Sequence, residues 1–142
     1  MTLNKKETLI QFIKYGMVGV LNTLVTLGVI FICKTFLGWN LYLSNALGYI
    51  AGVINSFIWN KTWVFRSQKG VIGEATKFLI GFGVCYLLQL LAVYALTEWS
   101  QLGSMEWTIC GFVIGGYGVA TLIGNVVYTL ANFIYNRLIT FK

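Results

Sequence analysis

The sequence predicts an all-α integral membrane protein whose four transmembrane helices form two similar hairpins, with both termini in the cytoplasm. Three observations predict it: the chain has four long uncharged stretches, its positive charges lie almost entirely on one side of them, and its two halves resemble each other. Of its 142 residues, 58% are hydrophobic and 10% are charged, whereas a soluble domain is about 45–50% apolar and about 25% charged. The composition therefore excludes a soluble globular domain.

The uncharged stretches define the predicted helices. About 20 apolar residues are enough to cross a bilayer, and the stretches are 19, 26, 20 and 30 residues long. We predict spans over approximately residues 12–33, 43–60, 78–97 and 109–135 of a single domain, 1–142. The fourth stretch is longer than one crossing needs, so its first third is expected to lie at the outer interface or the helix to tilt strongly.

The distribution of lysine and arginine predicts the orientation. Nine of the ten positive residues lie before the first uncharged stretch, between the second and third stretches, or after the fourth. The opposite loops carry Lys34 with Glu98 and Glu106. By the positive-inside rule, both termini and the central loop lie in the cytoplasm. The net charge of +6 is then a property of the cytoplasmic face, and no nucleic-acid partner is expected.

The composition also argues against catalysis. The chain has no His, Asp or Pro, and its four glutamates lie outside the uncharged stretches. Acid–base chemistry and zinc or iron sites use His, Cys or carboxylates, so we expect no enzyme, no metal and no other cofactor. The three cysteines lack metal-ligand spacing and are interpreted as apolar filler. A proton-coupled exporter is disfavoured because it needs an acid within a span.

An internal repeat relates residues 1–66 to residues 77–142. At an offset of 76, the segment 55–66 (NSFIWNKTWVFR) aligns with 131–142 (ANFIYNRLITFK), and seven of twelve positions agree in chemistry. In each copy an asparagine is followed by basic residues at positions +1 and +6: Asn60 with Lys61 and Arg66, Asn136 with Arg137 and Lys142. Two parallel repeats imply a pseudo-twofold axis along the membrane normal.

Small or polar residues recur at every fourth position in the second helix of each half. This spacing places them on one helix face, where small side chains let helices approach closely in lipid. The predicted packing residues are Gly48, Gly52, Ser56, Gly116, Ala120 and Gly124. The same stripes favour a homo-oligomer. Amides inside a span need partners, so Asn22, Asn55 and Asn132 are candidates for binding as well as for packing.

These residues carry a resemblance to the GtrA-like family of small four-span membrane proteins. It rests on FIKYGMVGVLNT around Asn22, on Ser44-Asn45-Ala46, on N-x4-N-K-x-W-x-F-R from Asn55 to Arg66, and on the closing N-R-x3-F-K. The resemblance implies a place in the cytoplasmic membrane of a bacterium. It also implies a role in cell-surface polysaccharide synthesis or glycosylation, through translocation of polyprenyl-phosphate-linked sugars beside a partner membrane glycosyltransferase.

Such a cargo suits the polar residues near the cytoplasmic ends. Lysine and arginine attract phosphate, amides can replace water around a sugar, and Trp63 can stack on a sugar or an isoprene unit. We predict one head-group site formed by Lys61, Arg66, Arg137, Lys142, Asn60, Asn136, Asn55, Asn132, Asn22 and Trp63. Lys61 and Arg137 are expected to contribute most. The alternative interpretation of the basic residues is that they only set the orientation of the chain in the membrane. The alternative function is a non-transporting subunit that stabilises or positions a polyprenyl-phosphate glycosyltransferase.

Overall fold

Four long helices dominate the computed structural model, which describes residues 4–142. They are α1 (Lys5–Thr35), α2 (Leu41–Trp59), α3 (Val71–Glu98) and α4 (Gly116–Tyr135). Each is long and apolar enough to cross a membrane, α2 and α4 together with the short turns that follow them. This confirms the predicted class of a helical membrane protein with four transmembrane helices. Residues 1–3 of the predicted domain and first repeat lie outside the described residues.

The chain divides into two compact units. The first comprises the residues up to Gly70 together with Phe141, and the second comprises Val71–Thr140 together with Lys142. Within the first unit α1 packs against α2, and within the second α3 packs against α4. Each unit is therefore built around one hairpin of long helices.

Local capping sets the ends of the first hairpin. The Asn4 side chain accepts a hydrogen bond from the Lys6 amide at 3.2 Å and so caps the start of α1. The turn after α1 needs a glycine, because Gly38 has φ +64°. The Asn40 side chain then accepts a hydrogen bond from the Leu43 amide at 2.8 Å, which satisfies an otherwise unpaired donor at the start of α2.

Two buried glycines allow α1 and α2 to approach closely. A Cβ atom on Gly48 would lie 2.5 Å from Ile30 Cγ1, and one on Gly52 would overlap the Thr26 hydroxyl. Neither position can take a larger side chain unless the facing atoms of α1 shift. Glycine at such points brings two backbones into van der Waals contact, which drives helix association in lipid.

The second hairpin has equally close contacts. A Cβ atom on Gly124 would lie 2.6 Å from Val93 Cγ2 of α3, and Ala120 is fully buried. Gly116 packs directly on the Leu102 carbonyl at the start of α4. Gly81 of α3 was not among the predicted packing residues, yet the Tyr135 ring lies against it with no room for a side chain.

A β-hairpin precedes α4 where the sequence predicts the start of the fourth span. Strand β1 (Glu106–Ile109) pairs antiparallel with β2 (Phe112–Gly115). The linking residues Cys110 and Gly111 have φ +51° and +85°, as in a two-residue type I′ turn. The predicted boundary at residue 109 therefore lies before the observed helix start at Gly116. The cause is local, because β-branched and aromatic residues make up most of both strands and favour a pleated conformation.

Both α2 and α4 continue into one turn of π-helix at the same point of the repeat. The first π-turn is Asn60–Val64 and the second π-turn is Asn136–Thr140. In the first, the Phe65 amide donates to the Asn60 carbonyl five residues earlier, at 2.9 Å. Isolated π-turns occur frequently at functional sites, and each of these two begins with an asparagine of the predicted site.

Candidate functional site

Asn60 opens the first π-turn with a fully buried side chain. Its Nδ2 donates to the Ser56 carbonyl at 2.8 Å and lies 3.2 Å from the Ser56 hydroxyl. These bonds fix the amide along α2. Its Oδ1 is buried and has no partner within the described part of the chain. Leaving a buried acceptor unpaired costs about 1–3 kcal/mol, so Asn60 presents an acceptor that a ligand hydroxyl could satisfy.

The two cations of the first half have different surroundings. Lys61 is half-buried, and its Nζ donates to the Lys69 carbonyl at 2.6 Å. Arg66 is exposed and has φ +52°, a left-handed conformation that costs an ordinary residue roughly 1–2 kcal/mol. The Ser67 amide donates to the Lys61 carbonyl at 2.8 Å and closes this bend. Lys61 therefore helps hold the loop between the two hairpins, whereas Arg66 ends the helix.

The second π-turn carries a denser set of polar groups. Asn136 is fully buried and Thr140 is 1% exposed. Three of its polar atoms are buried and without a hydrogen-bond partner among residues 4–142: Asn136 Oδ1, Arg137 Nη1 and Thr140 Oγ1. The turn thus offers a cationic donor, an amide acceptor and a hydroxyl within five residues.

A line of hydrogen bonds runs from the second π-turn back along α4. Asn136 Nδ2 donates to Asn132 Oδ1, and Asn132 Nδ2 donates to the Tyr128 hydroxyl, each at 3.4 Å. Asn132 is 5% exposed. Residues four apart lie one above the other on a helix, so these groups extend the polar character of the π-turn about two turns into the helix.

Three other predicted residues make contacts inside the first hairpin. Asn55 Nδ2 donates to Asn22 Oδ1 at 2.7 Å and links α2 to α1, while Trp59 Nε1 donates to Asn55 Oδ1 at 3.1 Å. The Lys14 ammonium lies 5.1 Å from the centre of the Trp63 ring, within the range of a cation–π interaction. These contacts give Asn22, Asn55 and Trp63 defined roles in holding the hairpin.

The predicted site residues fall into two groups, one per unit. Within the first unit the Phe141 ring stacks on Phe65, with centroids 5.3 Å apart. Lys142 is exposed. The first group is Asn22, Asn55, Asn60, Lys61, Trp63 and Arg66, and the second is Asn132, Asn136, Arg137 and Lys142.

Sequence reasoning missed polar residues of the second unit. Thr140 was not among the predicted site residues, and it stands where the first half has the apolar Val64. Gln89 of α3 donates to Asn125 of α4 at 2.5 Å. The signal for Gln89 was available, since it is a polar side chain inside the third uncharged stretch.

The polar groups of these residues can form hydrogen bonds with an anionic, hydroxylated ligand. These groups are amides, one hydroxyl and cations, and such cations make charge-assisted hydrogen bonds to phosphate. No group of three His, Cys, Asp or Glu side chains within residues 4–142 is placed to hold a metal ion.

Comparisons with known proteins agree with this architecture. The family described as GtrA/DPMS, transmembrane domain, matches residues 14–141. The chain is similar to the cell wall teichoic acid glycosylation protein GtcA of Listeria monocytogenes serovar 1/2a, at 24% identity over 93% of this chain and 85% of that protein. GtcA of Listeria innocua serovar 6a is 21% identical over the same shares. The uncharacterized membrane protein YngA of Bacillus subtilis is 32% identical over 58% of this chain and 59% of its own. With four membrane-length helices and a match to nearly its whole length, this multi-pass membrane protein belongs to the GtrA/DPMS transmembrane-domain family.

Proposed function

We propose that the protein translocates a polyprenyl-phosphate-linked sugar across the cytoplasmic membrane. One observation supports this most. Each π-turn lies at the end of a membrane-length helix and begins with an asparagine whose buried side-chain oxygen lacks a partner in the described residues, and the next residue is a lysine or an arginine. A bundle that only packed in lipid would gain from apolar residues there, because unpaired buried polar groups cost free energy. A lipid-linked sugar supplies hydroxyls and a phosphate to such groups.

The relatives support the same class of cargo. The Listeria proteins are named for glycosylation of cell wall teichoic acid. A cell wall lies outside the cytoplasmic membrane, so a sugar carried on a lipid must cross that membrane before it can reach the wall. We propose the corresponding role for this chain, with Lys61, Arg66, Arg137, Lys142 and the neighbouring asparagines as the groups that meet the head group.

The proposal includes the orientation and the assembly. Both termini and the loop between the hairpins lie in the cytoplasm, and the site receives its cargo from that side. The protein makes and breaks no covalent bond and needs no cofactor. It works as a homo-oligomer beside a membrane glycosyltransferase that makes or uses the lipid-linked sugar.

Reconstitution tests this function directly. The purified full chain is placed in vesicles that contain a fluorescent polyprenyl-phosphate sugar, and a membrane-impermeant quencher is added. We expect the inner-leaflet pool to become quenchable faster than in protein-free vesicles, and a double Asn60→Leu/Asn136→Leu variant to be slower than the wild type. Equal rates with and without wild-type protein contradict translocation.

The second candidate function is a non-transporting subunit of a polyprenyl-phosphate glycosyltransferase. The exposure of Arg66, Lys69 and Lys142 favours it, because exposed cations suit a docking surface. The two functions differ in one measurement. A subunit leaves the quenching rate at that of empty vesicles, yet restores the activity of a co-expressed transferase, and alanine at the exposed cations abolishes that restoration.

A further inference from the structure

The two π-turns are equivalent in the repeat but unequal in their polar atoms. At the offset of 76, Thr140 corresponds to Val64. Val64 is an apolar residue that is 3% exposed, whereas Thr140 is 1% exposed and carries a buried hydroxyl without a partner among the described residues. The second π-turn therefore has a hydrogen-bonding group that the first lacks.

The first cations of the two π-turns also differ in their hydrogen bonds. Lys61 Nζ already donates to the Lys69 carbonyl at 2.6 Å. Arg137, its counterpart, has a buried Nη1 that no atom of residues 4–142 accepts from. A phosphate at Lys61 competes with an existing hydrogen bond, while a phosphate at Arg137 satisfies a donor that is otherwise buried and unpaired.

The two π-turns also differ in the side chains that follow the first cation. Leu138 and Ile139 line a groove of about 310 Å³ between α3 and α4, together with Val84, Cys85, Leu88 and Ala131. The wall of this groove is almost entirely apolar. Two of its lining residues belong to the turn that carries the polar atoms, because Leu138 and Ile139 lie between Arg137 and Thr140.

The corresponding residues of the first π-turn bond and stack within the first hairpin. The counterparts of Leu138 and Ile139 are Thr62 and Trp63. The Thr62 hydroxyl donates to the Ile58 carbonyl at 2.7 Å, and the Trp63 ring lies beneath the Lys14 ammonium and edge-on to Trp59.

We infer that the second hairpin provides the main site for one prenyl phosphate. The phosphate and nearest hydroxyls bind at Asn136, Arg137 and Thr140, the first isoprene units lie in the groove lined by Leu138 and Ile139, and Lys61 contributes less than Arg137. A ligand that fits must be anionic at one end and apolar directly beyond it, which matches a cation and an apolar groove carried on one turn. The ligand class rests on the proposed function. The new element is the asymmetry, since the repeat by itself assigns equal roles to Lys61 and Arg137.

Binding of farnesyl phosphate to the purified full chain in detergent tests the polar end. A lost charge-assisted hydrogen bond to phosphate is expected to lower affinity about tenfold or more. We expect that loss for Arg137→Ala, a smaller one for Thr140→Val, and at most about a third of the Arg137→Ala effect for Lys61→Ala. Thr140→Val nearly preserves shape, so it reports on the hydroxyl even if Arg137→Ala folds poorly.

Binding of farnesol, which lacks the phosphate, measures the contribution of the groove without that of the polar end. Ala131→Phe places a ring in the groove and is expected to weaken binding of both farnesol and farnesyl phosphate. Leu130→Phe is the matched control, because Leu130 is 45% exposed and does not line the groove; it should leave both affinities unchanged. Arg137→Ala should weaken farnesyl phosphate alone.

Three results overturn the inference: equal losses for Lys61→Ala and Arg137→Ala, unchanged binding in Ala131→Phe, or equally tight binding of a diacyl phosphatidate, which shows that the groove takes any anionic lipid. These results are separate from translocation. If binding follows the expected pattern but vesicles show no translocation, the proposed function fails and the site stands. If translocation occurs while Lys61→Ala and Arg137→Ala are equivalent, the inference fails and the proposed function stands.

Discussion

A pair of asparagine side chains links the two helices of the first hairpin. Asn22 and Asn55 pair across α1 and α2 at 2.7 Å, and interhelical hydrogen bonds in membrane proteins contribute about 0.6 kcal/mol on average and up to about 1.7. We expect a coupling energy in that range from a double-mutant cycle of Asn22→Ala and Asn55→Ala, measured by unfolding in mixed micelles. A parallel cycle of Asn22→Ala with Asn125→Ala is the control, because Asn125 pairs with Gln89. Equal coupling in both cycles would contradict the assignment.

The backbone of Arg66 gives a second prediction at this scale. Its φ of +52° disfavours any residue with a Cβ. Arg66→Gly and Arg66→Ala remove the same charge, but only glycine relieves the strain. We therefore expect Arg66→Gly to be more stable than Arg66→Ala by roughly 1 kcal/mol, as measured by thermal unfolding in detergent. Equal stabilities would mean that the bend relaxes at no cost.

The sequence could select candidate site residues but could not predict the contacts of their side chains. The repeat of an asparagine with two cations pointed to Asn60, Lys61, Asn136 and Arg137, because position in a repeat is visible in one dimension. It could not show that Lys61 bonds to a backbone carbonyl eight residues away while an Arg137 nitrogen is buried and unpaired. Such differences arise from the path of a loop and the crossing of two helices.

At the scale of helices, glycine position decides which faces pack. Gly124→Leu would force the new side chain into Val93, whereas Gly83 has open space where its Cβ would be. Overpacking costs about 1–3 kcal/mol, so Gly124→Leu should lower the unfolding temperature in detergent and Gly83→Leu should not. Gly81→Leu is expected to behave like Gly124→Leu because of the Tyr135 ring. A wild-type melting temperature for Gly124→Leu would contradict this packing.

The four long helices were predicted from the sequence, whereas the π-turns and the β-hairpin were not. Long uncharged stretches can satisfy their backbone in lipid only as helices, so composition was enough to find four of them. The π-turns were missed because one extra residue barely changes a four-residue spacing. The β-hairpin was missed because Trp107–Gly115 is as apolar as a span. Its β-branched and aromatic residues and its Cys110-Gly111 turn were the usable signals.

At the scale of the whole molecule, the native cysteines allow the orientation to be tested. Cys110 is exposed at the tip of the β-hairpin, whereas Cys33 and Cys85 are 6% and 2% exposed. If the positive-inside rule holds, an impermeant thiol reagent should label the wild type in intact cells through Cys110. A Lys69→Cys variant that also carries Cys110→Ser should label only after the cells are opened. Labelling of residue 69 in intact cells would reverse the proposed orientation.

The division into two compact units has a consequence for how the protein is made. The chain through Gly70 already contains the close contacts of Gly48 and Gly52 and the Asn22–Asn55 bond, which are the interactions that hold helices together in lipid. A nascent chain that has reached the central loop therefore carries a finished pair of helices while the ribosome is still synthesising α3. Insertion can proceed one hairpin at a time, and a break in the loop at residues 67–70 should yield two fragments that each enter the membrane when produced separately.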